Sequence, residues 1–93
     1  MSYKVRQLRK KPITIEGIQF FDDPETISSI DEFVTGQKIE IDYSGEKPRL
    51  GLITLESGGQ KFWADEGDWI LKGVKGEFYP CKPDILAETY DLL

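Results

Sequence analysis

The sequence predicts an α+β fold: a mainly antiparallel sheet of five to six short strands, one amphipathic helix packed on it, and a short C-terminal helical turn. Three observations predict it. Apolar residues alternate in several short stretches, turn signals separate these stretches, and one segment has helical periodicity. The 93 residues are the length of a single domain, residues 1–93. A small open β-barrel with one helix is the alternative architecture.

The chain opens with a basic leader, residues 1–9, which we expect to be flexible because it carries little that could be buried. A β-rich stretch follows over residues 12–21. Ile13 and Ile15 alternate there with polar residues, which is the periodicity of a strand. The first strand is therefore predicted in this stretch.

An amphipathic helix is predicted over about 24–35. Asp23 is a good N-cap residue, Pro24 suits the first helical position, and Gly36 favours a stop. One apolar stripe runs along this segment, formed by Ile27, Ile30, Phe33 and Val34. The stripe is the face that would pack on the sheet.

The remaining strands are short and separated by Gly-rich or polar turns. They are predicted at residues 38–44, 50–55, 60–64, 69–74 and 77–81. Pro80 lacks a backbone donor, so it must lie in an edge strand or end its strand. Pro83 then begins a short helical turn that runs to about Tyr90.

The residue types argue against catalysis. The chain has no histidine, which removes the usual general base and the commonest metal ligand. Cys81 is the single cysteine, so it forms no cysteine zinc site, and we interpret it as a small buried apolar residue. No nucleotide-binding glycine motif occurs. We therefore expect a non-enzymatic protein without a cofactor or a metal site.

A single cysteine also favours a reducing compartment, and no apolar run is long enough to span a bilayer. We expect a cytoplasmic protein that does not contact a membrane.

Charge is distributed unevenly along the chain. Five of the 12 basic residues lie in residues 1–12, so residues 13–93 carry seven basic and all 17 acidic residues, a net charge of −10. Such a surface keeps a domain in solution and can also dock on a basic partner. The acidic turn of Asp65, Glu66 and Asp68 is the candidate partner-binding surface, although a simple polar turn explains it as well. The leader provides only a weak basis for nucleic-acid binding.

Aromatic and basic side chains alternate between residues 61 and 82. Rings beside cations can stack on and neutralise a nucleotide-like ligand. The candidate ligand-binding residues are Trp63, Trp69, Lys72, Lys75, Tyr79 and Lys82. Some of them would share a face if residues 61–64 pair with 69–72 across the turn. The simpler interpretation makes the aromatics core residues and the lysines their exposed neighbours.

The segment GDWILKGVKGEFYPCKPDILAETY at residues 67–90, together with KKPITIEGIQF at 10–20, resembles a widespread group of small bacteriophage and prophage proteins. Leu86 stands where that group usually has Phe. The resemblance implies origin and a host bacterial cytoplasm, and it implies no activity, because the group has none assigned.

Three functions remain open on the sequence. The leading hypothesis is a phage-encoded binding protein that acts on a host factor through its acidic surface, for example as a counter-defence inhibitor. The second is a protein that binds or sequesters a nucleotide-like ligand with the aromatic and lysine residues. The third is a structural or accessory phage protein, which an open edge strand and self-association would favour.

Overall fold

The fold is an α+β arrangement of two antiparallel three-stranded sheets and two helices. The computed structural model describes residues 5–9, 11–54 and 58–93. Its elements are β1 Glu16–Gln19, α1 Pro24–Phe33, β2 Lys38–Asp42, β3 Arg49–Thr54, β4 Gln60–Asp65, β5 Trp69–Lys72, β6 Phe78–Cys81 and α2 Pro83–Thr89. The predicted fold class is confirmed, and the described strands form no closed barrel.

The six strands are divided between two sheets. Sheet I has the order β1-β5-β6, and sheet II has the order β2-β3-β4. Sheet II is a meander of consecutive hairpins, whereas sheet I joins the first strand of the chain to two late strands. Residues 61–64 and 69–72 do not pair, since β4 and β5 belong to different sheets.

The first strand is shorter than the predicted stretch 12–21. Its pairing with β5 begins at Glu16, which lies opposite Lys72, the last residue of β5. The chain turns there because the Gly73 N–H donates to the Glu77 carbonyl at 2.7 Å. The residues before Glu16 therefore have no partner strand among the described residues.

The turn between β4 and β5 connects the two sheets through Phe20. The Phe20 N–H donates to the Asp68 carbonyl, and the Gly67 N–H donates to the Phe20 carbonyl, both at 2.8 Å. Gly67 has a φ of 94°, a conformation that glycine adopts without steric cost. The Gln19 side-chain amide donates to the Gly67 carbonyl at 2.9 Å. These bonds hold the end of β1 against the turn.

Helix α1 begins as the capping residues predicted. The Asp23 carboxylate accepts the Thr26 N–H at 2.8 Å, and Pro24 is the first helical residue. The helix ends at Phe33, two residues before the predicted end, because Val34 leaves helical geometry with a ψ of 46°. Val34 still donates to the Ile30 carbonyl, so it remains packed against the core.

One core lies between the two sheets and α1. Its fully buried side chains come from all three parts of the fold and include Phe20, Ile30, Leu50, Leu52 and Ile70. The rings of Phe33 and Phe78 meet edge to face at 5.5 Å between centroids, a favourable aromatic geometry. Helix α1 is thereby fixed on the inner face of sheet I.

The outer face of sheet I is covered as well. Leu71 alternates with Ile70, so it points away from the main core, yet it is only 2% exposed. Leu86 of α2 is also buried, and Tyr79 hydrogen bonds to Tyr90 just beyond α2. The C-terminal segment therefore lies over this face. No helix among the described residues is long and apolar enough to cross a bilayer.

Candidate functional site

The predicted aromatic and lysine residues are distributed over both sheets. Trp63 lies on β4 of sheet II, whereas Trp69 and Tyr79 lie on the outer face of sheet I. Lys72 alternates with Leu71 and points to the opposite face of sheet I, where it is paired with Phe78. Lys75 is exposed in the turn between β5 and β6. The six residues therefore do not form one cluster.

Trp63 covers a glycine of sheet II. It is paired with Gly51, and a Cβ atom at that glycine would lie 3.0 Å from the indole ring. The Arg49 guanidinium carbon lies 4.4 Å from the centre of the Trp63 ring, and Lys61 Nζ lies 5.2 Å from it. Cation–π geometry thus occurs in this protein, but with Arg49 and Lys61 as the cations.

Both cations beside Trp63 are already paired with carboxylates. Arg49 contacts Asp42 at 3.0 Å, and Lys61 contacts Glu40. The Ser44 hydroxyl and N–H, together with Arg49, lower the pKa of Asp42 to about 2. The outer face of sheet II is therefore a neutralised surface with Trp63 at its centre, and it offers little free charge to an anionic ligand.

Lys82 belongs to the acidic turn. Its Nζ lies 2.8 Å from Oδ2 of both Asp65 and Asp68. The hydrogen bonds that Lys82 donates to these carboxylates raise the pKa of Lys82, and the one to Asp65 lowers the pKa of Asp65. Lys82 is therefore an ion-pair partner within the fold.

The acidic turn uses most of its charge internally. The Asp68 side chain is buried, and it also accepts the Asp65 N–H at 2.8 Å. The Glu66 carboxylate accepts the Asp22 N–H at 3.2 Å. Only Asp65 and Glu66 of the predicted acidic surface are exposed, and no described group of three or more His, Cys, Asp or Glu residues is arranged to hold a metal ion.

Cys81 is partly buried at the end of β6. Burial, together with the nearby carboxylates of Asp68 and Asp84, raises the pKa of the Cys81 thiol. The thiolate is the nucleophilic form, so this environment disfavours a reactive cysteine.

A groove lies along the free side of β1. Its volume is about 930 Å³. The residues that line it come from four separate stretches of the chain, within 12–18, 29–33, 69–71 and 86–93. Apolar and aromatic side chains dominate the lining, among them Ile15, Phe33, Trp69, Leu71 and Leu86. This is the composition expected of a binding site for an apolar group.

The charged side chains among the described residues of this groove have one sign. Glu16, Glu32 and Asp91 line it, and its described lining contains no lysine or arginine. We call this feature, with its apolar residues and these three carboxylates, the acidic groove. Its potential favours a ligand that carries positive charge next to apolar surface.

Tyr90 lies in the lining of the acidic groove, and Tyr79 of β6 hydrogen bonds to it. Burial and the hydrogen bond to Tyr90 raise the pKa of Tyr79 to about 12. This bond joins β6 to the segment after α2, so it holds one wall of the groove to sheet I.

Among the site residues predicted from the sequence, Trp69 is the one that belongs to the described lining of the acidic groove. The three carboxylates come from β1, α1 and the C-terminal segment, and no local motif connects them. One available signal was Leu71: β5 is apolar at both Ile70 and Leu71, which indicates a strand buried on both faces and hence a second layer.

The comparisons with known proteins assign the chain to no family. No protein-family model matches the sequence, and no curated protein or solved structure has significant similarity to it.

Proposed function

We propose that this domain is a non-enzymatic binding protein of phage or prophage origin that acts in the host bacterial cytoplasm. Its partner is a host protein, and the contact is a basic segment with apolar side chains that enters the acidic groove. A counter-defence inhibitor is one role of this kind.

The observation that carries the proposal is the combination of apolar lining and carboxylates in the acidic groove. The apolar residues provide contact area, and Glu16, Glu32 and Asp91 select against anionic segments. All three carboxylates are exposed at the protein surface, so a lysine or arginine of a partner can reach them while its apolar neighbours contact the half-buried side chains of Ile15 and Trp69.

The same charges favour a protein partner over a nucleotide-like ligand. A phosphate group in the acidic groove would face three carboxylates, and the cations beside Trp63 are occupied by Asp42 and Glu40. The nucleotide hypothesis therefore has less support than the binding of a basic segment.

Catalysis has little support from the available side chains. The chain contains no histidine, and burial raises the pKa of the Cys81 thiol, which disfavours the nucleophilic thiolate. A binding role needs only the surface and charge already described.

Intrinsic fluorescence can test the proposal directly. The chain has two tryptophans, so a Trp63→Phe variant leaves Trp69 as the only tryptophan, and Trp69 lines the acidic groove. We expect a synthetic peptide of alternating lysine and valine to change the fluorescence emission of Trp69 in a saturable way. A matched peptide with glutamate in place of lysine should have no effect.

A charge reversal identifies the site. Glu32→Lys should weaken binding of the lysine–valine peptide several-fold, since it places a cation in the groove. Glu46→Lys makes the same change of net charge at an exposed position outside the groove lining and should leave binding unchanged. Equal loss in both variants, or equal binding of the lysine and glutamate peptides, would refute the proposed site.

A further inference from the structure

The chain itself contains a segment with the chemistry that the acidic groove selects. Residues 5–11 include four basic residues, Arg6, Arg9, Lys10 and Lys11, and no acidic one. Two apolar side chains lie among them, and both are almost fully exposed: Val5 at 97% and Leu8 at 89%. An isolated exposed apolar residue is ordinary, but this pair lies in a basic segment beside a groove of opposite charge.

We propose that residues 5–11 of one molecule occupy the acidic groove of a second copy, and that reciprocal exchange of this segment forms a two-fold dimer. The inference deepens the proposed function, because both use the acidic groove, and it names a competing occupant. A host segment would then have to displace the N-terminal segment of the second copy.

Charge complementarity is the first argument for this occupant. The segment is basic and residues 13–93 carry a net charge of −10, so the two parts of one chain attract each other. Within the groove the positive segment would meet Glu16, Glu32 and Asp91. Attraction between exposed charges of opposite sign favours association, and this attraction weakens as the salt concentration rises.

The position of the segment is the second argument. Residues 5–9 of the segment are exposed, Val5 and Leu8 among them, and they are not part of the described lining of the groove of their own chain. The segment leads into Pro12, which is one of the residues that line that groove. Because segment and groove are adjacent in each molecule, a molecule that inserts its segment into a second copy can receive the segment of that copy in return. Such an arrangement closes with two-fold symmetry.

The free side of β1 provides the third argument. β1 is an edge strand of sheet I and is paired only with β5 among the described strands. Seven consecutive lining residues, 12–18, show that the groove follows this edge. An extended segment can add to an edge strand with backbone hydrogen bonds while its side chains enter the groove.

The oligomeric state of the full chain tests the inference. We expect sedimentation equilibrium at low salt to give a monomer–dimer equilibrium that shifts to monomer as the salt concentration rises. Arg6→Glu combined with Arg9→Glu should shift it to monomer. The control, Lys38→Glu with Lys75→Glu, makes the same change of net charge at exposed lysines outside the groove lining and should still dimerise.

A charge swap gives the decisive result. Adding Glu16→Lys and Glu32→Lys to the Arg6→Glu, Arg9→Glu chain restores opposite signs between segment and groove, and dimerisation should return. A wild-type chain that stays monomeric at every concentration up to the millimolar range overturns the inference, as does a charge-swapped chain that stays monomeric while the wild type dimerises.

The failure of this inference is distinct from failure of the proposed function. A monomeric chain whose Trp69 emission still responds to the lysine–valine peptide disproves self-association and leaves the binding of basic segments intact. A dimer that persists in the Arg6→Glu, Arg9→Glu chain shows that the contact lies elsewhere and also overturns the inference. A peptide of residues 5–12 should compete with the lysine–valine peptide for the acidic groove.

Discussion

Lys82 Nζ lies 2.8 Å from the buried carboxylate of Asp68, across 14 positions of the chain. The contact joins the start of α2 to the turn between the two sheets. The Asp68 side chain is 6% exposed, whereas that of Lys82 is 52% exposed, so the lysine reaches in from solvent to neutralise a buried charge. α2 is thereby held where it can form a wall of the acidic groove.

Replacing Lys82 should destabilise the fold. Lys82→Met leaves the Asp68 carboxylate buried without its counter-charge, and we expect a loss of about 1–2 kcal/mol, the lower part of the range for a charged group because solvent screens Lys82. Urea unfolding measures the difference. Lys75→Met, at an exposed lysine whose side chain has no described ion pair, is the control and should be neutral. Equal stability of both variants would contradict the structural role of Lys82.

Tyr79 should make the fold sensitive to alkali. Its pKa is raised to about 12, so the unfolded chain ionises first as pH rises. The contribution of Tyr79 to stability is complete below about pH 10 and is lost between about 10 and 12. Unfolding midpoints followed across this range should fall less steeply for Tyr79→Phe than for wild type.

The pKa of Lys82 is also raised, by its hydrogen bonds to Asp65 and Asp68, so its contribution to stability is likewise lost as pH rises into the alkaline range. The Lys82→Met chain separates the two groups. The unfolding midpoint is followed against pH with and without Tyr79→Phe, once with Lys82 present and once in the Lys82→Met chain. If Tyr79→Phe leaves the slope unchanged in both cases, the Tyr79 phenol does not contribute to the alkaline sensitivity.

The N-cap of α1 should respond to acid. The Thr26 N–H lowers the pKa of Asp23, so the stabilisation is present above the ordinary value of 3.8 and is lost as pH falls below it. Asp23→Ala should lower the unfolding midpoint at neutral pH, because the first turn loses its capping acceptor. Asp23→Asn keeps an acceptor and should retain most of the stability, but without the acid dependence. A smaller loss for alanine than for asparagine would be inconsistent with capping.

Gly51 should resist a side chain because Trp63 lies over it. A Cβ atom there would lie 3.0 Å from the indole and 3.2 Å from Glu40 Cγ, so Gly51→Ala must displace the ring. We expect a loss of about 1 kcal/mol, the lower range for overpacking, and a red shift of Trp63 emission. Gly45→Ala, whose nearest contact would be 3.9 Å away, is the matched control. In a Trp63→Ala background the cost of Gly51→Ala should largely disappear, and its persistence there would rule out the indole as the cause.

Periodicity and turn chemistry located the elements well, and strand pairing much less so. The alternation in β2 and the cap of α1 are properties of neighbouring residues, and both were predicted within two residues of their observed ends. The turn Asp65–Asp68 has the composition of a hairpin turn, yet it connects two sheets. Its course depends on hydrogen bonds to Phe20, far away in the sequence, which no local pattern contains.

The sequence analysis predicted aromatic rings next to cations, but it did not predict which residues would form such pairs. Aromatic rings beside cations occur at Trp63, but the cation nearest to that ring is Arg49 of the neighbouring strand. Lys82 was predicted as a candidate ligand-binding residue, and in the structure its ammonium group is paired with Asp65 and Asp68. The acidic groove could not be predicted locally, because its carboxylates come from β1, α1 and the C-terminal segment and line one groove only in the folded chain.

The pairing of β1 with β5 also sets an order of events during synthesis. The Gln19 side chain bonds to Gly67, 48 positions later, so β1 has to wait for most of the chain to leave the ribosome. The hairpins of sheet II are local and can form earlier. A nascent chain therefore exposes its basic segment 5–11 first and completes its own groove last. During that interval we expect the segment of the nascent chain to be able to enter the groove of a finished molecule. The groove of the nascent chain itself is not yet complete and cannot accept a segment.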